Sequence, residues 1–176
     1  GLLGDTIRCV AVRPDCRDEH LANRLVSHLM MMVGRRGYPT VKVITKPQNL
    51  GIFQSMAFEL IGRSDRAVFL ESNKEPLSRY CHYLQSLRHE GRCGAIVINA
   101  NPFTKGHRYL IETAAKQVDH LFVIPVKEDR SVFSYVERKK MIELGTDDLK
   151  NVTVCKGSAY TVSSSTFPSY FIKSLS

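Results

Sequence analysis

The sequence predicts an α/β protein in two segments, the second built on a Rossmann-like parallel sheet. Three observations predict it. First, residues 94–155 run strand, helix, strand, helix, strand, an order that needs crossover connections and hence parallel strands. Second, residues 94–100 (GAIVINA) form a continuous apolar run, as in strands buried on both faces. Third, residues 72–93 change character to a polar helix marked by Leu77, Tyr80/Cys81, Leu84 and Leu87, ending in Gly91-Arg92. The expected organisation is a first segment 1–72, a connecting helix 73–93 and a second segment 94–176.

In the first segment, residues 6–13 (TIRCVAVR) read as a strand with apolar side chains on both faces, ended by Pro14. Leu21, Leu25, Leu29 and Met32/Val33 then recur at helical spacing, with Arg35-Arg36-Gly37 as a stop. Residues 41–45 read as the next strand. A short helix near 52–56 and strands near 58–61 and 67–70 follow. In the second segment, Leu110, Ala114 and Val118 are the expected inner stripe of the first helix. Residues 121–126 and 152–155 are the other strands. Ser134-x-x-Glu137 is a capping-box signature for a helix running to about Leu144 and stopped by Gly145.

Composition narrows the class. Of 176 residues, 43% are apolar and 24% charged, which is ordinary globular usage and excludes collagen-like or low-complexity chains. No apolar run nears the ~20 residues of a membrane helix, and residues 1–5 do not read as a signal peptide. The five cysteines are scattered without a C-x-x-C pair. Reduced thiols in the cytoplasm are therefore expected, rather than disulfides or a metal site. The net charge of +8 favours an anionic partner. No Lys/Arg run exceeds three residues (138–140), so neither nucleic acid nor membrane is expected as a partner.

Chemistry concentrates in the loop N-A-N-P-F-T-K-G-H (residues 99–107) between a strand and a helix. Ligands on parallel sheets sit beyond the carboxyl ends of the strands, where this loop lies. Gly106 permits close backbone approach, and His107 falls in the first helical turn, where free N–H groups favour phosphate. Thr104 adds a hydroxyl and Lys105 a cation. A histidine here can donate to a phosphate oxygen as charge builds up. The same residues also suit a plain helix cap.

T-x-G-H after a first strand resembles the signature of the nucleotidylyltransferase superfamily. More narrowly, I-N-A-N-P-F-T-K-G-H-R-Y-L (98–110) resembles the [citrate (pro-3S)-lyase] ligase family. The likeness continues through V-K-E-D (126–129), F-S-Y (133–135) with Glu137-Arg138, G-S-A-Y (157–160) and T-F-P-S-Y-F-I-K (166–173). It implies a ligase that uses ATP and acetate, with Mg2+. Acetyl-adenylate forms, pyrophosphate leaves, and the acetyl group passes to the prosthetic-group thiol of the acyl-carrier subunit of citrate lyase. On that resemblance Thr104 and His107 are catalytic. Asn99, Asn101, Phe103, Thr104, Lys105, Gly106, His107 and Lys127 bind ATP, and Ser158, Tyr160 and Arg138 are candidates for substrate. Glu128 and Asp129 read first as a solvated acidic pair rather than magnesium ligands, and no metal-ligating residue is assigned. Arg138 reads first as a surface residue of its helix, ahead of any phosphate role.

Family members resemble a GNAT acetyltransferase fold at their amino end. Residues 7–12 resemble its strand before the coenzyme-A pyrophosphate loop. Arg17-Asp-Glu-His20-Leu-Ala22 stands where that fold carries R-x-x-G-x-G/A, so Arg17, His20 and Ala22 are the coenzyme-A-like loop, with His20 in place of a glycine. Residues 49–58 resemble N-x-x-x-F-x-x-x-G-F with Ala57 in place of glycine. The expected fold is thus a partial GNAT-like domain followed by a partial nucleotidylyltransferase sheet.

The family's second phosphate signature, I-S-x-[ST]-x-x-R, has no clear counterpart. Residues 162–166 approach it, but Pro168-Ser169 stand where arginine is expected. Both ends of the chain read as cut, and little ligase turnover is expected from this stretch alone. Two alternatives stay open: a nucleotidylyltransferase of cofactor synthesis, and a non-catalytic module that binds an acyl carrier or coenzyme A.

Overall fold

The computed structural model describes residues 1–128 and 132–163, in two units: Gly1–His82 and the residues from Tyr83 onward.

The first unit is a mixed five-stranded sheet of order β1-β2-β3-β5-β4. Its strands are β1 (Leu2–Leu3), β2 (Thr6–Ile7), β3 (Lys42–Thr45), β4 (Glu59–Arg63) and β5 (Val68–Glu71). Only β2 and β3 pair in parallel. Helix α1 (Leu21–Arg35) follows a 3-10 turn at Pro14–Glu19, and α2 (Leu50–Gln54) follows another at Pro47–Asn49. Val26, Leu29 and Val33 of α1 pack with Val43, Phe53, Phe58 and Leu70 to form the core.

Two expectations fail here. The strand read over residues 6–13 keeps its hydrogen bonds only as far as Arg8, which pairs with Gly1, because Cys9 takes a left-handed φ of 53° and turns the chain out of the ladder. The buried stripe of α1 is Val26, Leu29 and Val33, while Leu25 stays 39% exposed. Val26 and Val33, seven residues apart, set the stripe's direction, and Leu25 lies one position off it.

Helix α3 (Glu75–Ser86) carries the chain from one unit to the next. The second unit is a parallel sheet of order β6-β7-β8, from Cys93–Ile98, His120–Pro125 and Val152–Val154. The register is regular: Gly94 faces Leu121, Ile98 faces Pro125, and Leu121 faces Val152. Helices α4 (Lys105–Ala115) and α5 (Tyr135–Gly145) connect the strands. This is the strand–helix alternation read from the sequence, and it makes the unit Rossmann-like. Asn151 closes the end of α4, donating to the Ala115 and Val118 carbonyls at 2.9 and 3.3 Å.

Here too the structure corrects details. Strand β6 is an edge strand among the described residues, and it alternates: Cys93, Ala95 and Val97 are exposed. Its apolar run resembles a doubly buried strand because alanine and valine are tolerated on an open face. The inner stripe of α4 is Ile111 and Ala115, with Ala114 and Val118 beside the core, while Leu110 is 50% exposed. No helix among the described residues is long and apolar enough to cross a membrane.

Candidate functional site

Strand β6 ends at Ile98, but the ladder continues one step, with Val126 N–H donating to Ile98 O at 2.9 Å. Beyond it the chain turns sharply. Ala100 has a left-handed φ of 47° and is buried, and Asn101–Pro102 is a cis peptide. Phe103 then packs against the core, and Thr104 becomes the N-cap of α4 in extended conformation.

Thr104 and His107 close on each other. The Thr104 backbone N–H donates to His107 Nδ1 at 3.0 Å, and the Thr104 hydroxyl lies 2.8 Å from the same nitrogen. An amide can only donate, so Nδ1 must be the acceptor and the ring proton sits on Nε2. The imidazole thereby plays the part that Glu or Gln plays in an ordinary capping box. It is half-buried and stacks on Phe103 at 5.9 Å between centroids, with 22° between planes. Lys105 and Gly106 are exposed in the first turn. A Cβ on Gly106 would meet only Thr104 Oγ1, at 3.7 Å, so packing does not require glycine there.

Helix α5 backs this turn at both of its ends. At its carboxyl end, a Cβ on Gly145 would overlap the Phe103 ring, with Cδ1 2.8 Å away, so glycine makes room for the aromatic. Gly145 O accepts from Arg108 Nη1 at 2.8 Å, and Arg108 grips Asp148 with both terminal nitrogens, Nη2 to Oδ2 at 2.7 Å. At the amino end, Ser134 and Glu137 form the capping box that the sequence signals, and hydrogen bonds from Ser134 lower the Glu137 carboxyl pKa.

Arg138 overturns its reading as a surface residue: it is 0% exposed. Its guanidinium donates to Asn99 O and Oδ1, both at 3.0 Å, to Val126 O at 2.8 Å, to Glu128 O at 3.2 Å and to Phe133 O at 3.1 Å. Asn101 Oδ1 accepts from Phe133 N–H at 3.0 Å. The side chains of Asn99 and Asn101 are therefore engaged in holding loops, not turned out as open contacts.

Lys127 is exposed just beyond β7, and its Cβ would be 3.3 Å from a Cβ on Gly157. That Cβ would also overlap the Pro125 carbonyl oxygen, so Gly157 lets residues 155–160 cross the end of β7. Gly157 N–H donates to Tyr135 Oη at 2.8 Å. Ser158 is buried in a turn, its hydroxyl accepting from Tyr160 N–H at 3.3 Å and its carbonyl from the Thr161 hydroxyl at 2.8 Å. Cys155 is fully buried, and burial pushes its thiol pKa up, which leaves it a poor nucleophile. Asp129 and residues 164–176, including Thr166, Pro168 and Ser169, lie outside the described residues. So does the side chain of Arg17.

In the first unit, His20 takes a left-handed φ of 54° at the start of α1, and Ala57 one of 64° after α2. Both stand where the motifs they resemble carry glycine. Ala22 lines a cavity of about 650 Å3 walled by residues 9–12, Val26, Val43 to Thr45, Asn49, Phe53 and Met56. A second, of about 450 Å3, shares Ala11 and Val12 with it and is lined by Arg13 and Arg24.

Sequence reasoning missed Arg138 as a buried hub, Gly145 as the seat of Phe103, and Arg108. Only position could have signalled the first: an arginine four residues after a cap lies on the first turn of its helix, beside the strand ends.

A parallel sheet whose first strand hands over to a helix through Thr104-Lys-Gly-His107 defines a Rossmann-like domain. Residues 93–176 match the family described as the citrate lyase ligase C-terminal domain. Nearly the whole chain is similar to curated relatives of that family. It is 44% identical over 174 residues to the citrate (pro-3S)-lyase ligase of Klebsiella pneumoniae, covering 98% of this chain and 51% of the relative. Identity is 42% over 175 residues with the ligase of Haemophilus influenzae (98% and 52%) and 41% over 175 residues with that of Escherichia coli (98% and 50%). The chain spans about half the length of the curated relatives it matches.

Proposed function

We propose that this chain carries the ATP-polyphosphate site of a citrate lyase ligase. ATP lies with its phosphates against the first turn of α4. Acetate attacks the α-phosphorus, the bond to the bridging oxygen breaks, and acetyl-adenylate and pyrophosphate form. The acetyl group then passes to the prosthetic-group thiol of the citrate lyase acyl carrier, and AMP leaves. Both nucleophiles belong to the substrates, so the protein's work is positioning and charge stabilisation. His107 Nε2–H and the Thr104 hydroxyl face the departing pyrophosphate, with Lys105 and Lys127 as point charges. Magnesium would be held chiefly by the nucleotide's own phosphates and would supply charge neutralisation there. Among the described residues no group of three or more His, Cys, Asp or Glu is placed to hold a metal, and magnesium commonly relies on substrate phosphates for most of its ligands.

The observation that carries this reading is the Thr104–His107 closure, which fixes one ring N–H as donor at an open helix start. Gly106 supports it. A helical glycine costs about 1 kcal/mol against alanine, and no packing here requires it. The test is calorimetric titration of the 176-residue chain with ATP and with pyrophosphate. The expected result is ATP binding that pyrophosphate competes away and that H107A weakens at least tenfold. ATP binding indifferent to both would overturn the reading. Release of pyrophosphate triggered by 4′-phosphopantetheine and not by acetate, in a full-length relative, would favour a cofactor nucleotidylyltransferase instead.

The paired cavities favour a second role, for the first unit: an apolar hollow adjoining one lined by Arg13 and Arg24 suits an acyl-pantetheine arm ending in phosphate. His20 and Ala22 belong to that loop. Coenzyme A binding that weakens with salt and on A22W tests it; binding unchanged in A22W counts against it.

A further inference from the structure

We infer that Arg138 is the positioning residue of the phosphate-type turn, setting the geometry of Thr104 and His107 from beneath without touching a ligand. Where parallel strands end, their last carbonyls lose ladder partners, and buried carbonyls without donors are costly. Here the ends of β6 and β7 splay immediately after the Val126–Ile98 bond. Arg138 supplies donors to both sides of that fork: Asn99 O and Oδ1 on one, Val126 O and Glu128 O on the other. Its Nε reaches a third segment at Phe133 O, and Phe133 N–H is returned to Asn101 Oδ1. One rigid guanidinium thus holds Asn99 directly and Asn101 through Phe133, the two residues that flank the left-handed Ala100, and with them the point from which Phe103 and Thr104 set out. Lysine cannot replace it, because three donors on a single nitrogen cannot span acceptors spread around a planar fork.

The proposal rests on the polyphosphate reading only for what the turn binds, so its test uses no nucleotide. In the whole chain, nitrogen-15 shifts of His107 report which ring nitrogen carries the proton, and hydrogen exchange reports the amides of residues 104–108. The wild type is expected to show the Nε2–H form alone. R138K is expected to mix the two tautomers and to speed exchange at 104–108 at least tenfold, while Val123 in β7 and Val43 in the first unit change less than threefold. N99A, which removes one acceptor and leaves the guanidinium in place, is expected to move the same signals in the same direction by a smaller factor. Equal acceleration everywhere in R138K, or an unchanged His107 tautomer in both variants, overturns the inference. If R138K fails to fold, N99A alone decides. Should the tautomer shift as expected while wild type ignores ATP, positioning stands and the polyphosphate reading falls.

Discussion

Phe103 lies against the place where Gly145 would carry a Cβ, so the last residue of α5 and the residue before the α4 cap are fitted to each other. Gly145 reads in the sequence as a helix stop, yet its lack of a side chain also seats the ring on which His107 stacks. Gly145→Ala is therefore expected to destabilise the second unit by about 1–3 kcal/mol, the usual cost of overpacking. Urea unfolding followed by circular dichroism measures it. Gly145→Ala with F103L should recover part of the loss, because the smaller side chain vacates the contested volume.

Replacing His107 separates two roles that one ring performs. Glutamine is a standard partner in capping boxes, so H107Q should keep the Thr104 N–H satisfied and hold stability within about 0.5 kcal/mol of wild type. H107A should cost about 1 kcal/mol, the usual value of a lost cap interaction. H107A should lose ATP affinity at least tenfold and H107Q by a smaller factor, since the glutamine amide still offers an N–H donor. Thermal melts paired with titration calorimetry check the pattern, and retained affinity in H107A would make the ring a cap and nothing more.

Two residues of the first unit sit where glycine is at ease. A left-handed conformation costs an ordinary L-residue about 1–2 kcal/mol, and glycine's extra unfolded-state freedom returns part of that. Ala57 and His20 are both exposed, so substitution touches no packing. A57G and H20G are each expected to stabilise the first unit by about 0.5–1 kcal/mol, read from urea midpoints. A loss in either would mean that its φ is not left-handed in solution.

His120 gives the second unit an acid-sensitive point. It is 7% exposed, its Nε2 lies 2.9 Å from Thr153 Oγ1, and His89 stacks on it at 3.6 Å with 6° between planes. Burial, and secondarily the neighbouring His89, hold its pKa below the usual histidine value. The unfolded chain therefore binds the proton more readily than the folded one, and stability falls as pH drops from the ordinary histidine pKa through the depressed one. The melting temperature should decline between pH 7 and pH 5, and H120Q should flatten that slope. An equal slope in H120Q would assign the effect to other groups.

Much of the second unit was readable because its signals are local. The Ser134-x-x-Glu137 box, the strand runs at 121–126 and 152–155 and the Thr104 helix start each depend on neighbours within a few residues. What escaped depends on distance in the chain. Arg138 meets Asn99 across 39 residues, and nothing near position 138 announces that a charged side chain will be fully buried. Strand β6 carries the same Ala-Ile-Val-Ile composition whether it lies at a centre or an edge, so its place is a property of the sheet. The strand expected over residues 6–13 is cut short for a third reason: the left-handed turn at Cys9 is a backbone choice that a cysteine does not advertise.

Because the amide that opens α4 already occupies one nitrogen of His107, the imidazole cannot work as a relay that collects a proton on one side and releases it on the other. It is restricted to lending a dipole whose direction the helix has chosen. On the proposed reading, adenylation at this turn takes no proton from His107, and exchange of light for heavy water is expected to change its rate little.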